Sequence, residues 1–295
     1  MFTTLISDPF VLSPTNFQPT AKHIRRRHIT RELRKLDTSK ATGPYAVGAN
    51  SILKELAKEL SHPLMILCRR ILSEACWPEK WRIHNLTPIY KRSSVYKAGN
   101  YRGIHVTCNL SKVAERVIGN PLIDYLQKFG FGKAQWAFQR AAGARDLLTV
   151  LSAKWIRAIC MGRKIGAYFS DIAGAFDRVD KEWLMAKLYN LGVNDTFLDF
   201  LNSYLEPRIG RVSVESIFSE SFILCNMVYQ GTVLGPCLWN AFFNDVHEPA
   251  SSQGGYASIF ADDLNVFKEF DIDFTNSDFP ESMQHLSDPT ITVSE

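Results

Sequence analysis

Residues 256–267, YASIFADDLNVF, constrain the fold more than any other stretch of the chain. An apolar run with strand-like alternation reaches Ala261, two aspartates interrupt it, and Leu264–Phe267 resumes the apolar pattern. Two such runs flanking turn-prone residues predict a β-hairpin with Asp262 and Asp263 at its tip. Adjacent carboxylates repel each other unless positive charge lies between them and a further acid. Mg²⁺ suits that place, because it prefers hard oxygen ligands and takes one or two carboxylates together with substrate phosphates. On the dipeptide alone, a solvated Asp-Asp turn is the commoner case.

A third acid changes the balance. Over Lys164–Ile172, Ile165, Ala167, Phe169 and Asp171 alternate with Gly166, Tyr168 and Ser170, which predicts a strand carrying Asp171 at its end. On one antiparallel sheet that end can meet the hairpin tip and bring three carboxylates into a small volume. Such a cluster can hold two divalent ions and clamp both oxygens of an in-line phosphoryl displacement. Asp171 by itself reads more readily as an ordinary strand-end aspartate.

With 46% hydrophobic residues over 295 positions, the chain can build a large core. Its six cysteines, at 68, 76, 108, 160, 225 and 237, form no Cys-x-x-Cys pair, which argues against a zinc site and a disulfide framework. No apolar run is long enough to span a membrane and the start MFTTLISDPF lacks a signal-peptide pattern, so a soluble, intracellular chain is expected. Nothing indicates an oligomer. The net charge of +4 is uneven: residues 22–40 carry eight Lys/Arg against two acids, whereas residues 269–295 carry seven acids and no Lys or Arg. A basic body suits a polyanionic partner, although a basic stretch is as often a solvated helix face.

Taken in order, residues 1–20 read as a linker and Lys22–Leu36 as a short basic helix. Helical spacing appears over Ala49–Leu60, Pro63–Ser73, Ser111–Phe129 and Ala144–Ile159, the last with Leu147, Leu148, Leu151 and Trp155 on one face. Trp81–Tyr90 and Tyr101–Thr107 read as strands joined by a polar basic loop. Lys181–Leu191 and Thr196–Leu205 read as helices, and Arg211–Val214 with Phe222–Val228 as a strand pair. A helix with an apolar stripe of Leu238, Trp239, Phe242, Phe243 and Val246 follows Pro236, which suits a first helical turn.

From about Asp37 to Phe270 the chain resembles the reverse transcriptase domain of non-LTR (LINE-type) retrotransposons. Asp37–Lys54, DTSKATGPYAVGANSILK, resembles the N-terminal fingers motif. Trp81–Arg92 with Asn100–Ile104 is similar to the two fingers strands, and Ser170–Val179, SDIAGAFDRV, to the first palm motif. Gln230–Pro236, QGTVLGP, is similar to the second and Phe260–Asp263 to the third. The resemblance implies an α+β fold of right-hand type, with fingers over 37–160 and an antiparallel palm sheet packed with helices over 161–270. Residues 1–36 are then a linker and basic segment, and residues 271–295 a poorly ordered acidic tail.

The same resemblance implies the site. Asp171 and Asp262 are expected as metal ligands with the Ile172 carbonyl, and Asp263 as the third catalytic carboxylate. Lys91 and Arg102 are expected to hold the incoming triphosphate. Phe176 is expected beneath the sugar, where its ring would exclude the 2′-hydroxyl of ribonucleotides, although an aromatic there also fits a core. Gln230 and Gly231 are expected to line the nucleotide pocket. The implied cofactor is Mg²⁺, or Mn²⁺ in its place; the implied partners are an RNA template, a DNA primer and deoxynucleoside triphosphates.

Departures from the family pattern are Gly174, where Lys or Tyr is usual, and Tyr229, where Arg or Pro is commoner. Family members continue with a Lys-bearing palm motif and a thumb, and residues 271–295 contain no Lys. A chain without the thumb is expected to polymerise feebly while still binding nucleic acid. The alternative is a catalytically silent nucleic-acid-binding remnant of such an element; an RNA-templated RNA polymerase fits less well, since those usually carry Gly before the Asp pair.

Overall fold

The computed structural model describes residues 17–40, 43–44, 50–172, 174–215, 217–225, 228–252 and 254–271. The linker over 1–16, part of the 37–54 motif and the tail from 272 lie outside them. In chain order the elements are α1 (Arg26–Arg34), α2 (Asn50–Glu55), α3 (Ala57–Ser73), β1 (Ile83–Tyr90), β2 (Tyr101–Val106), α4 (Asn109–Tyr125) and α5 (Ala144–Cys160). There follow β3 (Lys164–Ser170), α6 (Lys181–Asn190), α7 (Asp195–Tyr204), β4 (Arg208–Val214), β5 (Ile217–Phe218), β6 (Phe222–Leu224), α8 (Gly235–Phe242), α9 (Glu248–Ser252), β7 (Tyr256–Phe260) and β8 (Asp263–Phe270).

The strands form two sheets. One is antiparallel, in the order β3-β8-β7, so Lys164–Ser170 pairs with the second arm of the aspartate hairpin. Residues 134–136 run beside β7 as a short parallel extension: the Trp136 amide donates to the Ile259 carbonyl at 2.8 Å, and the Ile259 amide donates to the Ala134 carbonyl at 2.7 Å. The other sheet is mixed. β1 pairs antiparallel with β2 and parallel with β4, and β4 in turn pairs with β5 and β6. This sheet joins β1 and β2, from the stretch read as fingers, to β4 from the stretch read as palm. One core spans both stretches, from Ile29 and Leu33 through Trp77 and Ile118 to Leu238, Ile259 and Val266.

Alternation along β8 explains how the antiparallel sheet is held. Leu264 and Val266 enter the main core, while Phe267 joins Leu147 and Leu151 of α5 in a second cluster on the opposite face. Trp155 closes that cluster edge-on to Phe267, with ring centroids 6.0 Å apart. Leu148, expected on this stripe, is 62% exposed instead. Positions 147, 151 and 155 repeat every four residues, and 148 turns away from them.

Other boundaries also shift. The break expected after Leu60 falls at Leu56, and Pro63 sits inside α3. Leu56 leaves helical geometry with φ −86° and ψ 21°, while the Leu60 amide still donates to the Leu56 carbonyl. α8 ends at Phe242, so Val246 lies beyond it. β4 begins at Arg208, three residues earlier than expected, because its first residues pair with β6.

Within the mixed sheet, β1, β2 and β4 bury a polar cluster. The His84 and His105 Nδ1 atoms lie 3.0 Å apart, and the Arg208 Nη1 lies 2.8 Å from the His84 Nε2. Arg208 can only donate, so the His84 Nε2 accepts; the His84 Nδ1 must then carry the proton and donate to His105. The Arg208 guanidinium is buried between the rings of Tyr204 and Tyr229, 4.7 and 4.0 Å from their centroids.

Burial first, and then the neighbouring Arg208 charge, push His84 down to about 2 and His105 down to about 4. Both are neutral in the fold, whereas unfolded histidines titrate near pH ~6.5. Their stabilising contribution is therefore complete above that pH and is lost as the pH falls toward the folded values. Each histidine adds a slope of up to ~1.4 kcal/mol per pH unit. Urea denaturation between pH 7 and 5 should show this loss, and His105→Gln should remove about half of the slope. An unchanged slope in that variant would place the acid sensitivity elsewhere.

Candidate active site

The β3–β8 ladder places the three acids at one end of the antiparallel sheet. Ser170 pairs with Leu264, so Asp171 follows the last paired residue of β3 at the level where Asp263 opens β8. Phe260 pairs with Asp263, leaving Ala261 and Asp262 as the two-residue loop. The hairpin tip is thus Ala261-Asp262, one residue earlier than the Asp262-Asp263 expected. Two-residue hairpin loops need a positive φ that matches strand twist, and Ala261 supplies it at φ 58°. An alanine in that region is strained, at a typical cost of ~1–3 kcal/mol.

Burial first, and then the Asp262 and Asp171 carboxylates, push the Asp263 carboxyl above its ordinary value. Among the described residues no Lys, Arg or His forms an ion pair with any of the three. As they stand, the carboxylates share the sheet end without closing round a common centre, and no group of three acids, His or Cys among the described residues is tight enough to hold a metal. Their chemistry nevertheless fits a hard divalent ion: they are oxygen donors of one sign, uncompensated and open to solvent on Asp171 and Asp263. Ile172 follows Asp171 and packs partly against the main core.

Phe176 lies in a short 3₁₀ turn over Ala175–Arg178, entered through Gly174 at φ 66°. Its ring is half-buried and stacks on Trp239, with centroids 5.5 Å apart and planes 21° apart. The Phe176 carbonyl accepts from the Val228 amide at 2.9 Å, which ties this turn to the approach of Gln230-Gly231. Burial pushes the Asp177 carboxyl above its ordinary value, and the Gln230 side chain partly lowers it.

Gly231 has φ 73°, and a Cβ there would meet the His105 carbonyl oxygen at 2.5 Å. Only glycine allows β2 this close to the turn. Behind it, the fully buried Glu115 of α4 accepts from the Val233 amide at 2.6 Å, and burial holds its carboxyl above the ordinary value.

Lys91 and Arg102 sit at the loop end of the β1–β2 hairpin. The Lys91 amide donates to the Asn100 carbonyl, Ile89 pairs with Arg102, and both basic residues are exposed. Arg102 precedes His105 by three residues, about 10 Å along the strand from the Gly231 contact at ~3.3 Å per residue. The acids and Phe176 are therefore linked through Trp239 and Gln230-Gly231 to β2, the strand that carries Arg102.

The family model for "Reverse transcriptase (RNA-dependent DNA polymerase)" matches residues 89–294. The chain belongs to the reverse transcriptase family. That match takes in β2, all three acids and most of the stretch beyond Phe270.

The relatives of this reverse transcriptase chain include the probable RNA-directed DNA polymerase from transposon BS of Drosophila melanogaster, 27% identical over 85% of this chain and 28% of that protein. The RNA-directed DNA polymerase from mobile element jockey of the same organism is 25% identical over 88% of this chain and 29% of its own length. The Pol polyprotein from type-1 retrotransposable element R1 of Bradysia coprophila is 22% identical over 84% of this chain and 24% of its own. These are polymerases of non-LTR retrotransposons, and the chain spans less than a third of their length.

Sequence reasoning missed Gln135, Glu115, His105 and the indole nitrogen of Trp239. Each acts across the fold through a polar group, a role that leaves no local period. Gly231→Ala tests the closeness of the site: its Cβ has nowhere to go and its φ is unfavourable. It should lower stability by at least ~1–3 kcal/mol in urea denaturation. Stability equal to that of the unsubstituted chain would mean that β2 and the turn are not in contact.

Proposed function

We propose that this chain is the nucleotidyl-transfer core of an RNA-directed DNA polymerase, with residues 37–160 as fingers and 161–270 as palm. The observation that carries the reading is the meeting of Asp171 with Asp262 and Asp263 at one end of β3 and β8. Family membership supports the reaction class. When bound at this edge, Mg²⁺ would supply charge neutralisation at the primer 3′-oxygen and the leaving pyrophosphate.

The chain's own residues then divide the work. Asp171 and Asp262, with the Ile172 carbonyl, present hard oxygens, and Asp263 adds the third carboxylate. Lys91 and Arg102 meet the triphosphate as point charge and planar fork respectively. Phe176, stacked on Trp239, offers a ring edge where a 2′-hydroxyl would collide. Gly231 allows the backbone beside Gln230 to approach the nucleotide. The basic residues of α1 and its flanks add nonspecific attraction for a phosphate backbone, which weakens as salt rises. No helix among the described residues is long and apolar enough to cross a membrane.

Primer extension on an RNA template, with this chain and with a longer reading frame containing it, tests the reading. Asp171→Asn or Asp262→Asn should reduce Mg²⁺-dependent extension by more than the ~10–100-fold typical of residues behind a metal's direct ligands. Extension that survives both substitutions would overturn it. In the same assay Phe176→Val should admit ribonucleotides; unchanged discrimination in a folded variant would leave Phe176 a packing residue alone.

A further inference from the structure

Ala261 is held in its strained turn from two sides. Its amide donates to the Gln135 Oε1 at 3.0 Å, and its carbonyl accepts from the Trp239 Nε1 at 2.9 Å and, more weakly, from the Gln135 Nε2 at 3.4 Å. Both side chains are buried, Gln135 at 4% and Trp239 at 2% exposure. The Gln135 Oε1 also accepts from the Ala137 amide at 2.9 Å, which fixes the direction of the side chain. The backbone at 134–136 is anchored separately by its two bonds to Ile259. A strained backbone persists only where its surroundings over-determine it, and here three hydrogen bonds converge on one residue. That residue immediately precedes Asp262.

We propose that Gln135 and Trp239 are positioning residues that clamp the Ala261 turn and thereby aim Asp262 and Asp263 at the metal edge. The aiming half of this inference rests on the metal-binding role given above; the clamp itself does not. Trp239 also carries the Phe176 ring on its face. A shift of the indole would therefore move the floor beneath the sugar and the acid-bearing turn together, and coordinate nucleotide fit with the placing of the acids. A buried glutamine with a merely structural role would leave the turn unchanged when removed, since the backbone pairing of 134–136 does not use its side chain.

The test uses the full 295-residue chain and two readouts that need no turnover. Amide hydrogen exchange at Ala261, followed by NMR, reads the clamp directly: Gln135→Ala should accelerate it, because the acceptor is gone. Mn²⁺ affinity, followed by electron paramagnetic resonance, reads the aim. Gln135→Ala should weaken it by ~10–100-fold, the usual effect of residues that orient ligands, and Trp239→Phe should act in the same direction. Adding Ala261→Gly to Gln135→Ala should restore most of the affinity, since glycine takes the positive φ without being forced.

Exchange at Ala261 as slow in Gln135→Ala as in the parent chain would overturn the clamp. Faster exchange with unchanged Mn²⁺ affinity, in a chain where Asp171→Asn still weakens binding, would overturn the aim. A loss that Ala261→Gly fails to restore would also overturn the aim. Should the parent chain take up no Mn²⁺ that Asp171→Asn removes, the metal-binding reading fails; the aim falls with it, and the exchange data decide the clamp alone.

Discussion

The pairing of β3 with β8 is the constraint on which the rest depends. It joins segments about a hundred residues apart, and its register decides which side chains share the open end of the sheet. A slip of one residue would turn Leu264 and Val266 out of the main core and Phe267 away from α5, so the hydrophobic pattern on both faces holds the register. With that register fixed, Asp171 and Asp263 come level without any attraction between them. The apolar burial that holds the ladder brings like charges together, which is the condition for a site that acts on a polyanionic substrate through a bound cation.

A second constraint links this edge to the opposite sheet. The His84–His105–Arg208 cluster and Glu115 supply polar atoms where β2, β4, α4 and the Gln230–Val233 turn converge. Gly231 against the His105 carbonyl is the tightest point of that junction. Replacing these polar groups by apolar ones would still bury surface but would leave the Val233 amide without its acceptor. The network thus sets the position of the Gln230–Val233 turn, and through Phe176 and Trp239 that turn is packed against the edge that carries the acids.

Much of this was legible in the sequence. Period-two alternation marked β3, β7 and β8, and the same strands carried the acids, so the ends that meet could be named before any coordinates. Pro236 marked the first turn of a helix, as observed in α8. The hairpin tip was misplaced by one residue because turn propensity favours aspartate, whereas the register leaves alanine in the positive-φ position. Leu148 was misassigned because an apolar residue one step off a stripe looks like part of it. Gln135 was invisible for a deeper reason: its side chain meets a turn 126 residues away, and no local pattern encodes such a contact.

The proposed reaction needs a divalent ion at the one sheet end built by β3 and β8. The most direct measurement is a crystal of the chain grown with Mn²⁺ and a nonhydrolysable deoxynucleoside triphosphate, recorded at a wavelength where manganese scatters anomalously. An anomalous peak is expected between the Asp171 and Asp262 carboxylates, with the nucleotide phosphates as its remaining ligands. Full nucleotide density with no peak at that edge, or a peak held by other side chains, would contradict it.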